Sequence, residues 1–428
     1  MNRRTTALLA GVSALALALA ACSSGKGAKN VPPASGSGSG NGGGSVKSIK
    51  VVIAGYSPDK TPQFWNGLAA KYKTQTGITA NIQVISWDTI DQQVKTMAQT
   101  NSLPDVMNYN TFASYAKDGL LYSADEVLSP TTASDFIDAF NAGGTYNDKV
   151  YGFPILSSAR ALFYNKTLFQ QAGISDTPKT WDEFEADAKK ITALGGGNVG
   201  YAEPLGPEEA QAEFAMWMFN GGGDWQSGGK WTINSTQNVE TLQFLKKLAV
   251  DDKVTQPNPG KTNRTDGAFK LFESGKAGMV VGFSPLAGEL DKAGKVQYGV
   301  VPMPTKQSGG TPSTLAVEDY LMGFKHSGNQ DAIKKFLDLY YQKDNINTWI
   351  KAEGFLPVTK TGLQDMSSDP KLKPYLDTLP NAKLAPVTDP GWDTVSTAVK
   401  QGLGAAVAPN GDPKKVLDQL QQTAESAG

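Results

Sequence analysis

Cysteine and histidine are almost absent from this chain. Its 428 residues contain one cysteine and one histidine, which excludes an internal disulfide framework, a cysteine-based zinc or iron–sulfur site and a multi-histidine metal centre. An excess of either charge is also missing, because 40 Lys and Arg face 41 Asp and Glu. A near-neutral chain has no basic surface of the kind that binds nucleic acid. We therefore expect no metal, no cofactor and no nucleic-acid partner.

The one long apolar run lies near the N-terminus. Arg3 and Arg4 precede a stretch of mainly Ala, Leu and Val over residues 7–21, which is typical of a signal peptide and too short for a membrane span of ~20 residues. Small residues directly precede Cys22, the single cysteine, in a pattern that resembles a bacterial lipobox. We expect removal of residues 1–21 and lipidation of Cys22, with a plain secretory signal as the alternative.

Residues 23–47 are low in complexity and rich in Gly and Ser. Such a segment cannot bury enough apolar area to fold, so we expect it to be disordered. Its root-mean-square reach would be roughly 25–30 Å. Residues 22–47 are therefore predicted to be a lipidated tether that holds a folded body off the extracellular face of the bacterial cytoplasmic membrane.

From residue 48 onward, strand and helix patterns alternate. A strand that ends at Gly55 is predicted by SIKVVIAGY, and a helix that ends at Gly77 by FWNGLAAKYKTQTG. The chain then continues as strand, helix and strand up to Tyr109. This β-α-β-α-β order favours a mostly parallel sheet with helices on both faces. In such sheets, ligands bind outside the carboxyl ends of the strands.

The predicted strand ends carry polar and aromatic residues. They are residues 57–60, 86–88 and 108–110, and none of them forms a run of like charges. A sugar presents apolar C–H faces that lie on aromatic rings, and hydroxyls that pair with Asp, Glu, Asn and Arg. The strand ends therefore favour a neutral, polyhydroxylated ligand.

Four segments follow the lipobox in this order: YNKTLFQQAGISDTPKTWDEF, ESGKAGMVVGF, VPMPT and GFLPVTKTGL. Together they resemble the extracellular solute-binding proteins of ABC transporters. The similarity is to family 1, the sugar-binding, maltose-binding-protein-like group, over residues 49–420. This resemblance implies an α/β, two-lobed periplasmic-binding-protein fold of type II, with mostly parallel sheets, a hinge and the ligand in the interlobe cleft.

The resemblance also implies that each lobe is discontinuous, because the chain crosses between lobes more than once. We expect an N-terminal lobe of residues 48–157 plus 312–358 and a C-terminal lobe of residues 158–311 plus 359–428. The first crossing would be SSARALFYN. Closure of the lobes over the ligand would be a hinge motion.

Candidate ligand residues come from the resemblance and from their chemistry. The family has an aromatic residue where this chain has Leu205, which predicts fewer stacking platforms. By resemblance, the candidates are Asp59, Lys60, Tyr109, Glu203, Phe283 and Trp392. Chemistry and position add Trp87, Asn108, Asn110, Arg160, Asp224, Trp225, Ser284 and Glu318.

The predicted function is capture of a mono- or oligosaccharide and its delivery to an ABC importer permease. We expect a lipid-anchored monomer with no catalytic residue. A polyol or another small solute remains an alternative within the same fold. A secreted carbohydrate-active enzyme is the alternative of another class, since 41 acidic residues could include the carboxylate pair that glycoside hydrolysis needs. A surface adhesin is disfavoured because no internal repeat is found.

Overall fold

The computed structural model describes most of the folded body that the sequence predicts. The predicted signal peptide, Cys22 and the tether up to residue 45 lie outside the described residues. Within the described part, no helix is both long enough and apolar enough to span a membrane. The described residues are 46–369, 371–376 and 378–427, without the side chains of Ala139, Glu318 and Pro380.

Strands form where the sequence is rich in Val, Ile and aromatic residues, which suit a pleated backbone. The predicted strands that end at Gly55 and Tyr109 are confirmed. The thirteen strands within the described residues are β1 (Ser48–Gly55), β2 (Thr79–Ser86), β3 (Val106–Tyr109), β4 (Thr145–Tyr146), β5 (Lys149–Val150), β6 (Phe153–Asn165), β7 (Val199–Ala202), β8 (Gln226–Ser227), β9 (Lys230–Trp231), β10 (Ala277–Phe283), β11 (Tyr298–Val301), β12 (Thr314–Gly323) and β13 (Ala382–Lys383).

Local sequence signals mark the helix ends. The Asp59 side chain accepts the N–H of Lys60 where the first helix begins, and Gly77 ends that helix at φ +75°, which glycine adopts without strain. The α-helices are α1 (Lys60–Thr76), α2 (Ile90–Gln99), α3 (Ala113–Lys117), α4 (Ala124–Val127), α5 (Pro130–Asp135), α6 (Asp138–Gly143), α7 (Lys166–Gln171), α8 (Trp181–Ala193), α9 (Ala210–Asn220), α10 (Thr236–Val250), α11 (Lys270–Glu273), α12 (Ser284–Ala293), α13 (Gln330–Tyr340), α14 (Lys343–Glu353), α15 (Lys360–Met366), α16 (Lys373–Leu376), α17 (Trp392–Gly402) and α18 (Pro413–Ala427). Short 3₁₀ helices span Pro259–Lys261, Leu379–Asn381 and Leu403–Val407, and a π-helix spans Arg264–Phe269.

The strands β6 and β12 join two halves of one sheet. The order is β2-β1-β3-β12-β6-β10-β7, with β11 beside β6 and β13 beside β12. The predicted parallel pairing is confirmed for β1 with β2 and β3. However, β12 runs antiparallel to β3 and β6, and β6 runs antiparallel to β10, so the sheet as a whole is mixed. The first half of β6 pairs with β12 and the second half with β10 and β11, as a crossing strand does.

Two clusters of buried side chains cover the two faces of the sheet. On β1, Val51 belongs to one cluster and Val52 to the other, because successive side chains of a strand point to opposite faces. Trp65 on α1 is fully buried, and its ring stacks on Tyr340 with a centroid distance of 5.0 Å. Because apolar side chains cover both faces of the sheet, polar groups that bind a ligand are expected at the ends of the strands.

Candidate functional site

A cleft lies beside the carboxyl ends of β1 and β2. Its wall includes Tyr56 after β1, Trp87 after β2, Arg160 on β6, Phe283 at the end of β10 and Asp319 on β12. We call it the central cleft. Its position agrees with the rule that ligands of α/β sheets bind outside the carboxyl ends of strands.

The central cleft brings some of the predicted ligand residues together and leaves others out. A smaller pocket adjoins it and shares Asn110, Glu209 and Val317 with it. Lining the central cleft are the predicted residues Lys60, Trp87, Asn110, Arg160 and Phe283, and lining the smaller pocket are Trp225 and Trp392. Outside both linings lie Asp59, Asn108, Tyr109, Glu203, Asp224 and Ser284. The backbone of Glu318 pairs with Ser157, and the Glu318 side chain lies outside the described part of the chain.

Two arginines share one aromatic ring in this cleft. Arg160 and Arg264 are the only arginines of the sequence after Arg4, and both line the cleft. Their guanidinium carbons lie 5.0 and 4.9 Å from the centroid of the Phe283 ring, within the range of a cation–π contact. The ring of Phe355 stacks on Phe283 at 6.1 Å between centroids. The folded body therefore places both of its arginines in one site.

Glu208 and Glu209 pair with these arginines. Arg160 Nη2 donates to Glu209 Oε2 at 2.7 Å, and Arg264 Nη2 donates to Glu208 Oε1 at 3.0 Å. Arg264 Nη1 also donates to Glu209 Oε2. Burial lowers the pKa of both guanidinium groups to about 10, so both stay charged at neutral pH. Burial would raise the pKa of Glu208, but Arg264 and hydrogen bonds from Thr265 outweigh it and lower that pKa.

Tyr56 connects the aromatic residues Trp87 and Phe355 of the cleft to the buried carboxylate of Asp319. Its Oη lies 2.7 Å from Asp319 Oδ2 and 3.0 Å from Asn108 Oδ1. Burial raises the pKa of Asp319 to about 6, although the hydrogen bond from Tyr56 opposes the shift. Asn108 also accepts the N–H of Ala54 and donates to the carbonyl of Tyr320. The Asn108 side chain, predicted to bind ligand, thus orients Tyr56.

Tyr109 supports an ion pair between Asp91 and Lys400 beside the cleft. Its Oη donates to Asp91 Oδ1 at 2.6 Å, and Lys400 Nζ donates to Asp91 Oδ2 at 2.8 Å. Asp91 lies on α2 and Lys400 on α17, where only 5% of the Lys400 side chain is exposed. The predicted stacking residue Tyr109 therefore contacts the protein's own carboxylate, and Lys400 enters the cleft wall.

Three other predicted ligand residues serve local structure. Asp59 caps the start of α1. Asp224 accepts the N–H of Trp225 at 2.8 Å and pairs with Lys383 Nζ at 3.0 Å. Ser284 is buried and is the first residue of α12. All three residues lie near strand or loop ends, as the sequence indicates, but none of them lines the central cleft or the smaller pocket.

Glu203 belongs to a buried pair of carboxyl groups. It is fully buried, and neither carboxylate oxygen has a hydrogen-bond partner among the described residues. Burial raises its pKa well above the usual value, and the charge of Glu213 adds to the shift. Glu213 accepts hydrogen bonds from Tyr201 Oη and Trp217 Nε1. Burial nevertheless raises the pKa of Glu213 to about 7, while Arg160 opposes the rise.

The buried Glu213 predicts a stability that depends on pH. An unfolded glutamate releases its proton near pH ~4.3, whereas folded Glu213 holds it to about pH 7. The folded state therefore binds more protons in this window, and the free energy of unfolding should fall as the pH rises from about 4.3 to about 7. Glu213→Gln keeps an oxygen acceptor for Trp217 and should flatten this decline. Thermal unfolding across that pH range measures it.

Glu240 offers a matched control for this prediction. Its side chain is 45% exposed and pairs with Lys306, so Glu240→Gln should leave the pH profile unchanged. A profile of Glu213→Gln that superimposes on that of the wild type would contradict the assignment.

Sequence reasoning missed several residues of the cleft, among them Tyr56, Glu208, Glu209, Arg264 and Asp319. One signal could have found Arg264, because the folded body contains only two arginines and the other was already a candidate. No sequence signal separates the three carboxylates from the remaining acidic residues of the chain. Their role depends on contacts with residues far along the chain.

Comparison with known proteins agrees with the fold. Residues 67–374 match a family model described as bacterial extracellular solute-binding protein. A binding protein of Brucella abortus (strain 2308) is 30% identical over 387 residues, which cover 88% of this chain and 92% of the relative. The chain belongs to the bacterial extracellular solute-binding proteins. The predicted family is thereby confirmed.

Two relatives of this solute-binding protein are named for their ligands. The diacetylchitobiose-binding protein DasA of Streptomyces coelicolor is 28% identical over 339 residues, 73% of each chain. The sn-glycerol-3-phosphate-binding periplasmic protein UgpB of Agrobacterium fabrum is 26% identical over 294 residues, 64% of this chain and 66% of the relative.

A solved structure confirms the predicted two-lobed fold. The ABC transporter solute-binding protein of Thermotoga lettingae, bound with α-D-tagatose, superimposes with a TM-score of 0.78 at 21% identity. The match covers 89% of this chain and 99% of that one. This solute-binding protein therefore has the periplasmic-binding-protein architecture that the sequence predicted.

Proposed function

We propose that this solute-binding protein captures a carbohydrate in the central cleft and delivers it to the permease of an ABC importer, without a catalytic step. The observation that carries the proposal is the pair of arginines over Phe283, with Trp87 in the same wall. Aromatic rings take the C–H faces of a sugar, and guanidinium and carboxylate groups take its hydroxyls. The names of DasA and of the tagatose-bound protein support this class of ligand.

Capture would involve closure of two lobes. We assign residues 48–157 plus 312–358 to one lobe and residues 158–311 plus 359–428 to the other. The strand β6, which pairs with β12 in its first half and with β10 in its second half, supports this division. A ligand that contacts both lobes would shift the population toward the closed form.

The protein would act at the extracellular face of the cytoplasmic membrane. The lipobox-like pattern at Cys22 and the Gly/Ser-rich residues that follow it support a lipid anchor with a tether. We expect a monomer that meets its permease while tethered. A block of lipoprotein processing should leave the unprocessed precursor in the cell, and Cys22→Ala should yield a protein that carries no lipid.

A thermal-shift screen of the purified protein tests the proposed function. Ligand that binds the folded state raises the unfolding midpoint by mass action. Sugars, polyols, amino acids and polyamines form the panel, and product analysis of each sugar detects cleavage. We expect a carbohydrate to give the largest shift and to remain intact. A shift with polyamines or amino acids alone, or consumption of a glycoside, would contradict the proposal.

A further inference from the structure

The central cleft carries more negative than positive groups. Among the side chains that the structure describes, four cationic groups line it, Lys60, Arg160, Arg264 and Lys400, against seven carboxylates. Lys400 is already paired with Asp91 at 2.8 Å. A cleft lined mainly by one sign of charge concentrates the field of that sign. A ligand with its own negative group would therefore meet repulsion.

Both arginines of the cleft are occupied by carboxylates. Arg264 contacts Glu208 and Glu209, and Arg160 contacts Glu209. The side chains of Arg160 and Glu208 are only 3% and 2% exposed. Because these pairs are largely removed from water, their attraction is screened less than that of surface pairs. A phosphate or carboxylate of a ligand would have to displace them.

Each arginine keeps a buried donor that suits an uncharged acceptor. Arg160 Nε and Arg264 Nε are buried and have no hydrogen-bond partner among the described residues. A single N–H can donate to a hydroxyl or carbonyl oxygen of a sugar. Bidentate recognition of phosphate would instead use two parallel N–H groups of one guanidinium edge. Glu209 already contacts Nη2 of Arg160 and Nη1 of Arg264, and Glu208 contacts Nη2 of Arg264.

We propose that the cleft takes an uncharged or cationic sugar and rejects phosphorylated sugars and sugar acids, with Glu208 and Glu209 as the residues that determine this specificity. The inference rests on the proposed function. Membership of the family leaves the charge of the ligand open, since relatives are named for both a phosphorylated and an uncharged ligand. In this chain, the two glutamates fill the positions that an anionic group would need.

The first test compares matched ligands on the wild-type protein. Calorimetric titration uses glucose with glucose 6-phosphate, galactose with galacturonate, and glucosamine as a cationic probe. We expect every anionic probe to bind at least about 100-fold more weakly than the best uncharged or cationic probe, because like charges placed side by side in an interface are strongly unfavourable. Tighter binding of an anionic probe than of its neutral partner would overturn the inference.

The second test asks for a gain of function. In the Glu208→Gln/Glu209→Gln variant, the guanidinium groups are no longer neutralised, so affinity for inorganic phosphate and glucose 6-phosphate should rise about tenfold or more. Glu209→Gln alone is a second variant, because the Glu209 side chain is 21% exposed and its replacement disturbs folding less than that of Glu208. Glu240→Gln/Glu273→Gln removes the same charge outside the cleft and should gain nothing.

The two tests separate this inference from the proposed function. If no carbohydrate binds the wild type, the proposed function fails, while a gain of phosphate affinity in the double variant still supports charge selection by the glutamates. If neutral sugars bind but folded double and single variants gain no affinity for phosphate, the specificity role of Glu208 and Glu209 is wrong and the proposed function stands.

Discussion

Phe283→Ala is expected to weaken carbohydrate binding by about 100-fold. The ring makes two cation–π contacts, with Arg160 and Arg264 at 5.0 and 4.9 Å, and partly desolvated contacts of this kind contribute about 0.5–2 kcal/mol each. Without the ring, both guanidinium groups lose the surface that positions them, and the sugar loses apolar contact area. Calorimetric titration with the best carbohydrate of the screen measures the effect.

Two control variants separate the ring from general loss of stability. Phe283→Leu keeps apolar volume but has no π face, so it should show an intermediate affinity. Phe244 stacks on Trp181 at 4.6 Å and does not line the cleft, so Phe244→Ala should lower the unfolding midpoint without changing affinity. Equal affinities for Phe283→Ala and Phe244→Ala would remove Phe283 from the site.

Lys400→Met is expected to lower the free energy of unfolding by about 2–4 kcal/mol at neutral pH. This is somewhat less than the ~3–5 kcal/mol cost of breaking a fully buried ion pair, because Asp91 is partly exposed. The Lys400 side chain is 5% exposed, and that of its partner Asp91 is 22% exposed. Burial raises the pKa of Asp319 and Asp393, and the charge of Lys400 opposes both shifts. Removal of Lys400 takes a positive charge away from the carboxylates of Asp91, Asp319 and Asp393.

This loss of stability should depend on pH. Without Lys400, the pKa of Asp319 and Asp393 rises further, so the folded state takes up protons more readily than the unfolded state as the pH falls. The destabilisation should therefore shrink when the pH drops from about 7 to about 5. Denaturant unfolding at the two pH values measures the difference. A deficit that is the same at both would contradict a charge effect.

A double-mutant cycle tests the pair itself. Asp91→Asn/Lys400→Met removes both partners, and we expect a coupling energy of about 0.5–3 kcal/mol between the two sites. Because α2 and α17 fall in different proposed lobes, loss of the pair should also weaken ligand binding. Asp91→Asn breaks the ion pair but keeps Lys400 in the cleft wall. A loss of ligand affinity in this variant would therefore come from the broken pair between the lobes, and not from a lost contact between Lys400 and the ligand. Strict additivity would argue against the ion pair.

Much of the fold follows from local sequence signals. The strand that ends at Gly55, the helix that ends at Gly77 and the parallel order of the first three strands depend on periodicity and helix termini within short segments. The antiparallel pairing of β6 and β12 could not be predicted in this way, because it joins residues such as Ala159 and Ala316 that are far apart in the chain.

The sequence predicted where the candidate site lies, but it predicted only some of the residues that line it. Of the candidates in the cleft lining, Trp87 and Arg160 were predicted because aromatic and cationic groups near strand ends suit a sugar, and Phe283 was predicted by the family resemblance. Tyr109 was assigned to the ligand by the family resemblance, and no signal in the sequence around it indicates that its hydroxyl pairs with Asp91. Glu203 was assigned to the ligand by the family resemblance, but its side chain is fully buried and lies outside the cleft lining.

The most direct test of the account is a crystal structure of the protein with the uncharged carbohydrate that binds most tightly in the screen. The account predicts an intact sugar in the central cleft, in contact with Trp87 and Phe283 and hydrogen-bonded to Arg160 or Arg264. A sugar bound elsewhere on the protein, or a hydrolysed product in the cleft, would contradict capture without catalysis at this site.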